Sequence, residues 1–186
     1  SVGNLVFSRW YLNSFAQPIG QATISSSPGF NAALIEAEYL THVNGSFTAF
    51  CTGCPGTGAR IPVHGGAGTP EIGNTVGYRV TDARAFSGGS LYLGVSRTTH
   101  NGSPLPINLG FLGMGTSCLL CVSVDIALSF ATDAAGVATV NVPLPNDVNL
   151  IDGHLFTQVA IIDLGACTTV PVVHSNALDT LIGGNR

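Results

Sequence analysis

The chain of 186 residues carries 6 Arg, no Lys and 10 Asp or Glu, so that only 9% of its residues are charged. Ordinary soluble domains carry about 25% charged residues. With 45% apolar residues, the composition excludes a disordered polar tail, which cannot bury enough apolar surface. The formal net charge of −4 and the absence of Lys also argue against nucleic acid as a partner, because nucleic-acid affinity depends on clustered cations.

No run of residues approaches the ~20 apolar residues that a membrane-spanning helix needs. We therefore expect no membrane span. The chain begins with Ser1 rather than Met, which predicts a mature end from which a targeting segment has been removed.

Residues 1–45 are interpreted as an N-terminal extended arm. The apolar and aromatic residues at 5–12 indicate a strand, which contains Trp10, the only Trp. A stretch rich in Gly, Ser and Pro follows at residues 18–29. Residues 32–43 have some helix propensity, but the alternation of Ile35, Ala37 and Tyr39 favours a strand.

Residues 46–186 show short apolar runs separated by Gly, Pro, Asn and Asp, a rhythm typical of an all-β protein. We predict an antiparallel β-sandwich, jelly-roll-like, with no helix of ordinary length. Residues 159–162 are apolar throughout, which indicates a strand buried on both faces. The predicted strands are residues 60–63, 75–81, 90–97, 118–124, 127–132, 137–142, 154–163 and 169–174.

Turn chemistry marks the connections between these strands. Ser87-Gly88-Gly89 and Asn101-Gly102 are typical turn sequences. Asn101 and Asn44 each begin a sequence that also matches the N-glycosylation pattern, so both are candidate acceptors. Because Asn-Gly is also a tight hairpin turn, we favour the turn interpretation at both positions.

Four of the five cysteines form two C-x-x-C motifs, Cys51 with Cys54 and Cys118 with Cys121, and the fifth is Cys167. Two such motifs can supply four thiolates to zinc, although the segment between them far exceeds the usual ~15 to 20 residues. Disulfides fit better. In an antiparallel ladder, the residue numbers of facing residues always add up to the same total. The pairs Cys51–Cys121 and Cys54–Cys118 have the same total, so one ladder could place the two cysteines of each pair opposite each other. Cys167 is then either a buried thiol or a link between subunits.

Several ordered motifs resemble a family of secreted, Gly-rich bacterial domains that are frequent in planctomycetes and their relatives. The resemblance covers residues 50–186 and implies export, a β-sandwich and a bridge between Cys54 and Cys118, but no catalytic residue. The motifs that carry it are Gly53-Cys54-Pro55-Gly56-Thr57-Gly58, Gly68-Thr69-Pro70-Glu71-Ile72-Gly73, Gly94-Val95-Ser96-Arg97-Thr98-Thr99, Asn101-Gly102-Ser103-Pro104-Leu105-Pro106, Gly113-Met114-Gly115-Thr116-Ser117-Cys118, Leu144-Pro145-Asn146-Asp147 and Ser175-Asn176-Ala177.

Motifs for enzyme chemistry are lacking, so we expect neither catalysis nor a cofactor. The chain has no Gly-x-Ser-x-Gly or His-Glu-x-x-His motif, and a phosphate loop needs Lys. A triad of His154, Asp163 and a Ser has no local support in the sequence. The Asx-rich segment from Asn146 to Asp152 is better interpreted as a turn than as a calcium loop, because the loop spacing would need an oxygen ligand at Ile151.

We therefore expect an exported structural subunit, extracellular or at the cell surface, that self-assembles into a filament or layer. Few charges leave little repulsion between copies. The arm can add to a neighbour's sheet as a donor strand through Leu5, Phe7, Trp10 and Tyr11. The alternatives are that the arm pairs within its own chain, and that the protein is a carbohydrate-binding or adhesion module in which Tyr78 and Tyr92 stack on a glycan.

Overall fold

The computed structural model describes residues 4–12, 15–17, 35–166 and 168–186. This part of the chain is all-β and contains no α-helix, and so no helix that is long and apolar enough to cross a membrane. Its strands are β1 (Asn4–Leu12), β2 (Phe15–Gln17), β3 (Ile35–Val43), β4 (Ser46–Phe50), β5 (Val63–Ala67), β6 (Thr75–Thr81), β7 (Gly88–Gly94), β8 (Thr99–His100), β9 (Ser103–Pro104), β10 (Ile107–Asn108), β11 (Leu119–Leu120), β12 (Ile126–Ala131), β13 (Ala138–Pro143), β14 (His154–Ile162), β15 (Val172–Leu181) and β16 (Gly184–Asn185).

Two antiparallel sheets face each other and enclose the core. The larger sheet has the order β12-β7-β14-β15-β4, and the smaller has the order β13-β6-β5. Tyr78 of the smaller sheet reaches across to Thr180, with 3.1 Å between the two hydroxyl oxygens. The His64 ring crosses the same gap, with its Nε2 2.8 Å from the Thr157 hydroxyl oxygen. The predicted antiparallel sandwich is thus confirmed.

Strand β14 is buried on both faces from Phe156 to Ile161, which confirms the prediction for residues 159–161, whereas Ile162 is exposed because it ends the strand. Its inward face packs in the core, and its outward face lies under the long connection between β7 and β12. Gln158 explains how this connection is held. Its side chain accepts a hydrogen bond from the Cys121 N–H at 2.9 Å and donates to the Leu119 carbonyl at 3.0 Å.

The N-terminal strands form a separate sheet with the order β16-β3-β1-β2. Strand β1 runs antiparallel to β3 from the pair Asn4–His42 to the pair Leu12–Ile35, and β2 pairs only with its last three residues. The C-terminal strand β16 pairs with the end of β3. Strand β3 is therefore tied to the last residues of the chain.

Several predicted strand limits are wrong for identifiable reasons. Residues 118–124 contain only the two-residue strand β11, because the Gln158 side chain takes the backbone N–H of Cys121. The strand predicted at residues 60–63 begins only at Val63, and the one predicted at 169–174 is β15, which continues to Leu181. The predicted turn at Gly88 and Gly89 is the start of β7.

Candidate functional site

Two disulfides join the segment after β4 to the segment around β11. Cys51 is bonded to Cys121 with 6.5 Å between the Cα atoms, and Cys54 to Cys118 with 4.8 Å. The pairing predicted from the sequence is confirmed, but the single ladder used to derive it is wrong. Strand β4 pairs with β15, and β11 pairs with β10, so the two cysteine segments are not strand neighbours. Disulfides of this kind are typical of extracellular proteins.

The inner disulfide is buried beside a histidine, under the connection between β7 and β12. Cys54, Cys118 and His174 are all at most 2% exposed. The Nδ1 atom of His174 has no hydrogen-bond partner among the described residues. Burial lowers the pKa of His174 to about 4, so its ring is neutral at physiological pH. The group therefore combines a buried disulfide with a neutral imidazole.

A second buried group is centred on Asp163, just after β14. Its carboxylate accepts hydrogen bonds from the Thr57 backbone N–H at 2.7 Å, from the Thr57 hydroxyl and from the Gly165 N–H at 3.1 Å. Arg84 adds an ion pair at 3.3 Å. Burial by itself would raise the pKa of Asp163, but these donors outweigh it and the net pKa is lowered. Asp163 thus fixes the loop around Thr57 and is fully occupied in doing so.

Arg97 lies over a small aromatic pair beside the outer disulfide. Its guanidinium carbon is 5.9 Å from the ring centroids of both Phe50 and Phe156. Its Nη1 is 3.7 Å from one carboxylate oxygen of Asp179, and the other carboxylate oxygen lies 2.7 Å from Nδ1 of His154. A groove of about 410 Å³ borders Phe50, Arg97 and the Cys51–Cys121 disulfide. Arg97 is the charged side chain of its lining.

A shallow depression of about 330 Å³ lies on the outward face of the larger sheet. We call it the outer depression. It is lined by Gly88, Gly89, Ser90, Tyr92, Ser129, Phe130, Ala160, Ile161, Ile162 and Val172. The Tyr92 ring is half-buried, and its centroid is 6.0 Å from that of His174. Small residues, the Ser90 and Ser129 hydroxyls and the partly exposed Tyr92 ring give this depression a weakly polar lining.

Large apolar side chains are exposed at many places. Phe86 is 81% exposed, Phe111 76%, Val95 75% and Leu164 73%. The segments that carry Phe86 and Leu164 are held together, because the Ser87 hydroxyl donates to the Ile162 carbonyl and Arg84 pairs with Asp163. We call Phe86, Ile162 and Leu164 the Phe86 patch.

The other predicted site residues are those of the N-terminal arm and Cys167. Leu5, Phe7, Trp10 and Tyr11 all lie in β1, which pairs with β3 and β2 of its own chain. Cys167 lies outside the described residues.

The two glycosylation candidates, Asn44 and Asn101, are exposed. Asn101 has φ 47° and begins the turn between β8 and β9, which confirms the hairpin interpretation there. Asn44 instead lies in a crossover between two sheets, because β3 and β4 do not pair with each other.

Tyr78, His154 and Asp147 each have a structural role. Tyr78 is 2% exposed and hydrogen-bonded inside the core, so it is no platform for a glycan. His154 pairs with Asp179, and Asp163 lies beyond the other end of β14, so that these two residues do not assemble into a triad. Asp147 accepts a hydrogen bond from the Asn149 N–H at 2.9 Å, which is the predicted Asx turn.

Sequence reasoning missed Gln158, Arg97 and the position of His174 beside the inner disulfide. Each is an isolated polar residue whose partners lie far away along the chain, and no local spacing marks it. Comparisons with known proteins found no matching family model, no matching curated protein and no matching solved structure.

Proposed function

We propose that this protein is an exported structural subunit that self-assembles into an extracellular filament or surface layer. The observation that carries the proposal is the surface. Side chains such as Phe86 and Phe111 are at least 76% exposed in a chain with only 9% charged residues. Exposed apolar groups favour association, and sparse charge leaves little repulsion to oppose it.

The Phe86 patch supports a contact between copies of the chain. Its three apolar side chains are between 47% and 81% exposed and come from two segments that hydrogen bonds hold in place. A patch on a fixed backbone loses little conformational entropy when it is covered. Because so few charges oppose association, we expect a second copy of the chain to cover this patch.

Strand β1 supports a second contact. Among the described residues, Asn4 to Phe7 and Arg9 pair with β3 on one side and with no strand on the other, because β2 pairs only with Trp10 to Leu12. An open strand edge can accept a strand of a neighbouring copy, and β1 can also exchange between copies while it keeps its pairing with β3. Either route repeated head to tail gives an extended polymer.

Electron microscopy and sedimentation of the whole chain test the proposal. We expect regular fibres or sheets from the wild type. Deletion of residues 1–13 removes β1, and we expect it to leave a folded particle that no longer elongates. The double variant Phe86→Ser with Leu164→Ser tests the patch, and Val148→Ser, at a residue that is 57% exposed elsewhere, is its control.

The outcomes separate the two contacts. Fibres after the deletion but not after the patch variant would reject strand exchange and keep the patch. A wild-type chain that stays monomeric at high concentration would reject self-assembly altogether.

The outer depression favours a second candidate function, a carbohydrate-binding or adhesion module. Tyr92 and the hydroxyls of Ser90 and Ser129 offer an aromatic face with polar edges, which is how sandwich proteins commonly hold sugars. Saturable binding of a polysaccharide by monomeric protein, abolished by Tyr92→Ala and kept by Tyr78→Phe, would favour this function. Absence of binding to a panel of neutral and acidic polysaccharides would reject it.

A further inference from the structure

Cys54, Cys118 and His174 form a compact group of potential metal ligands. One ligand atom from each residue lies within 4.8 Å of the other two. The residues come from three separate segments and are all buried. In the structure, the two sulfur atoms are joined as a disulfide.

The imidazole provides the second observation. Nδ1 of His174 is buried without a hydrogen-bond partner, in a residue that is 2% exposed. Buried side-chain nitrogen atoms nearly always have a partner, so one without a partner requires an explanation.

The backbone holds the cysteine and the histidine together independently of the disulfide. The Cys54 N–H donates to the His174 carbonyl at 2.9 Å, and the His174 N–H lies 3.2 Å from Cys54 Sγ. Opening the disulfide therefore leaves the Cys54 and His174 side chains adjacent.

We propose that Cys54, Cys118 and His174 bind one thiophilic divalent cation, such as Zn²⁺, when the Cys54–Cys118 disulfide is reduced. Zinc takes thiolate sulfur at about 2.3 Å and imidazole nitrogen at about 2.0 to 2.1 Å, which sets the ligand atoms of a tetrahedral site about 3.5 to 3.8 Å apart. Side-chain rotation of the two freed cysteines brings the group to that spacing. Three protein ligands leave a fourth position for water.

The chemistry balances with a phosphine as reductant. The phosphine gives two electrons to the disulfide and becomes a phosphine oxide, while one water molecule supplies its oxygen and the two thiol protons. Binding of the cation then releases both protons, because metal ligation requires thiolates. The disulfide and the metal site are thus alternative states of the same three side chains. The inference does not depend on the proposed assembly.

Titration with Co²⁺ after anaerobic reduction and removal of the phosphine tests this site. All proteins carry Cys167→Ser, so that the fifth thiol does not contribute. We expect one equivalent to bind with thiolate-to-cobalt charge-transfer absorption and tetrahedral ligand-field bands, and Zn²⁺ to displace it. His174→Ala should weaken binding by more than about tenfold, because the site keeps only two ligands. The matched control His100→Ala should leave binding unchanged.

The double variant Cys51→Ser with Cys121→Ser distinguishes this site from a four-thiolate site. We expect its affinity to stay within about threefold of the parent, since the outer pair supplies no ligand. Loss of binding in this variant, or full binding in His174→Ala, would overturn the proposal. Circular dichroism follows the fold throughout. A reduced chain that neither binds the metal nor regains structure on its addition would overturn it as well.

Discussion

His64 and His174 are the two histidines that the fold buries, and they make stability depend on pH. Burial lowers the pKa of each to about 4, although the Arg79 carbonyl partly offsets this at His64. An unfolded histidine titrates near 6.5. As the pH falls below 6.5 the unfolded chain therefore binds protons that the folded chain does not bind.

We predict that the free energy of unfolding is level above pH 6.5 and falls between pH 6.5 and about 4, by about 1.4 kcal/mol per pH unit for each buried histidine. His64→Gln should remove about half of this slope, because one of two titrating groups is gone. Urea unfolding at several pH values measures it. A slope that His64→Gln leaves unchanged would contradict this explanation.

Residue chemistry was only partly predictable. The turn predicted at Asn101 is confirmed, since this residue begins the turn between β8 and β9. The roles of Asp163 and Gln158 were not visible in the sequence, because each depends on partners such as Thr57 and Cys121 from distant segments.

At the scale of elements, the glycines differ according to what lies beside them. Gly94 ends β7 directly against the backbone of Ser123, so that a Cβ atom at this position would overlap the Ser123 carbonyl. Gly65 lies within β5, and a Cβ atom there would meet nothing within 4 Å.

We predict that Gly94→Ala lowers the free energy of unfolding by about 1 to 3 kcal/mol, because the connection over the sheet must move away. Gly65→Ala is the matched control, and we expect a change within about 1 kcal/mol, in the stabilising direction, because Ala restricts the unfolded chain. Thermal or urea unfolding compares the two. Equal effects of both variants would contradict this explanation.

Element type was well predicted where alternation or burial is strong. The strand predicted at residues 75–81 is β6, and the strand favoured at residues 32–43 includes β3. A predicted strand limit was wrong where a side chain takes a backbone N–H, as Gln158 does at Cys121. A second limit was wrong at two glycines. Gly88 and Gly89 have typical turn chemistry, but they pair with Ala131 and Phe130 in the sheet, where a Cβ atom at Gly89 would clash with the Phe130 ring.

For the whole molecule, the two disulfides join the same pair of segments but lie in different surroundings. Their sequence separations are 70 and 64 residues. For loops of this length, the chain-entropy model gives about 4 kcal/mol of stabilisation for each disulfide.

We predict that the double variant Cys54→Ala with Cys118→Ala is the more damaging one. Its two side chains are at most 1% exposed, so their truncation adds a cavity to the lost cross-link. The double variant Cys51→Ala with Cys121→Ala lies at the outer face and should retain more stability. Urea unfolding of both variants ranks them. A larger loss from the outer pair would show that its main role is to hold the connection over β14.

By itself, the sequence determined the all-β class and the sparse charge, because composition and strand alternation are local properties. It also indicated the pairing of the four cysteines, but from a shared ladder that the fold does not contain. Only the tertiary structure decided that the pairing needs no common ladder, that Gln158 holds the covering connection, and that His174 lies beside the inner disulfide. These contacts join residues far apart in the chain. Strand order and register bring them together, and neither is encoded in the period of apolar residues.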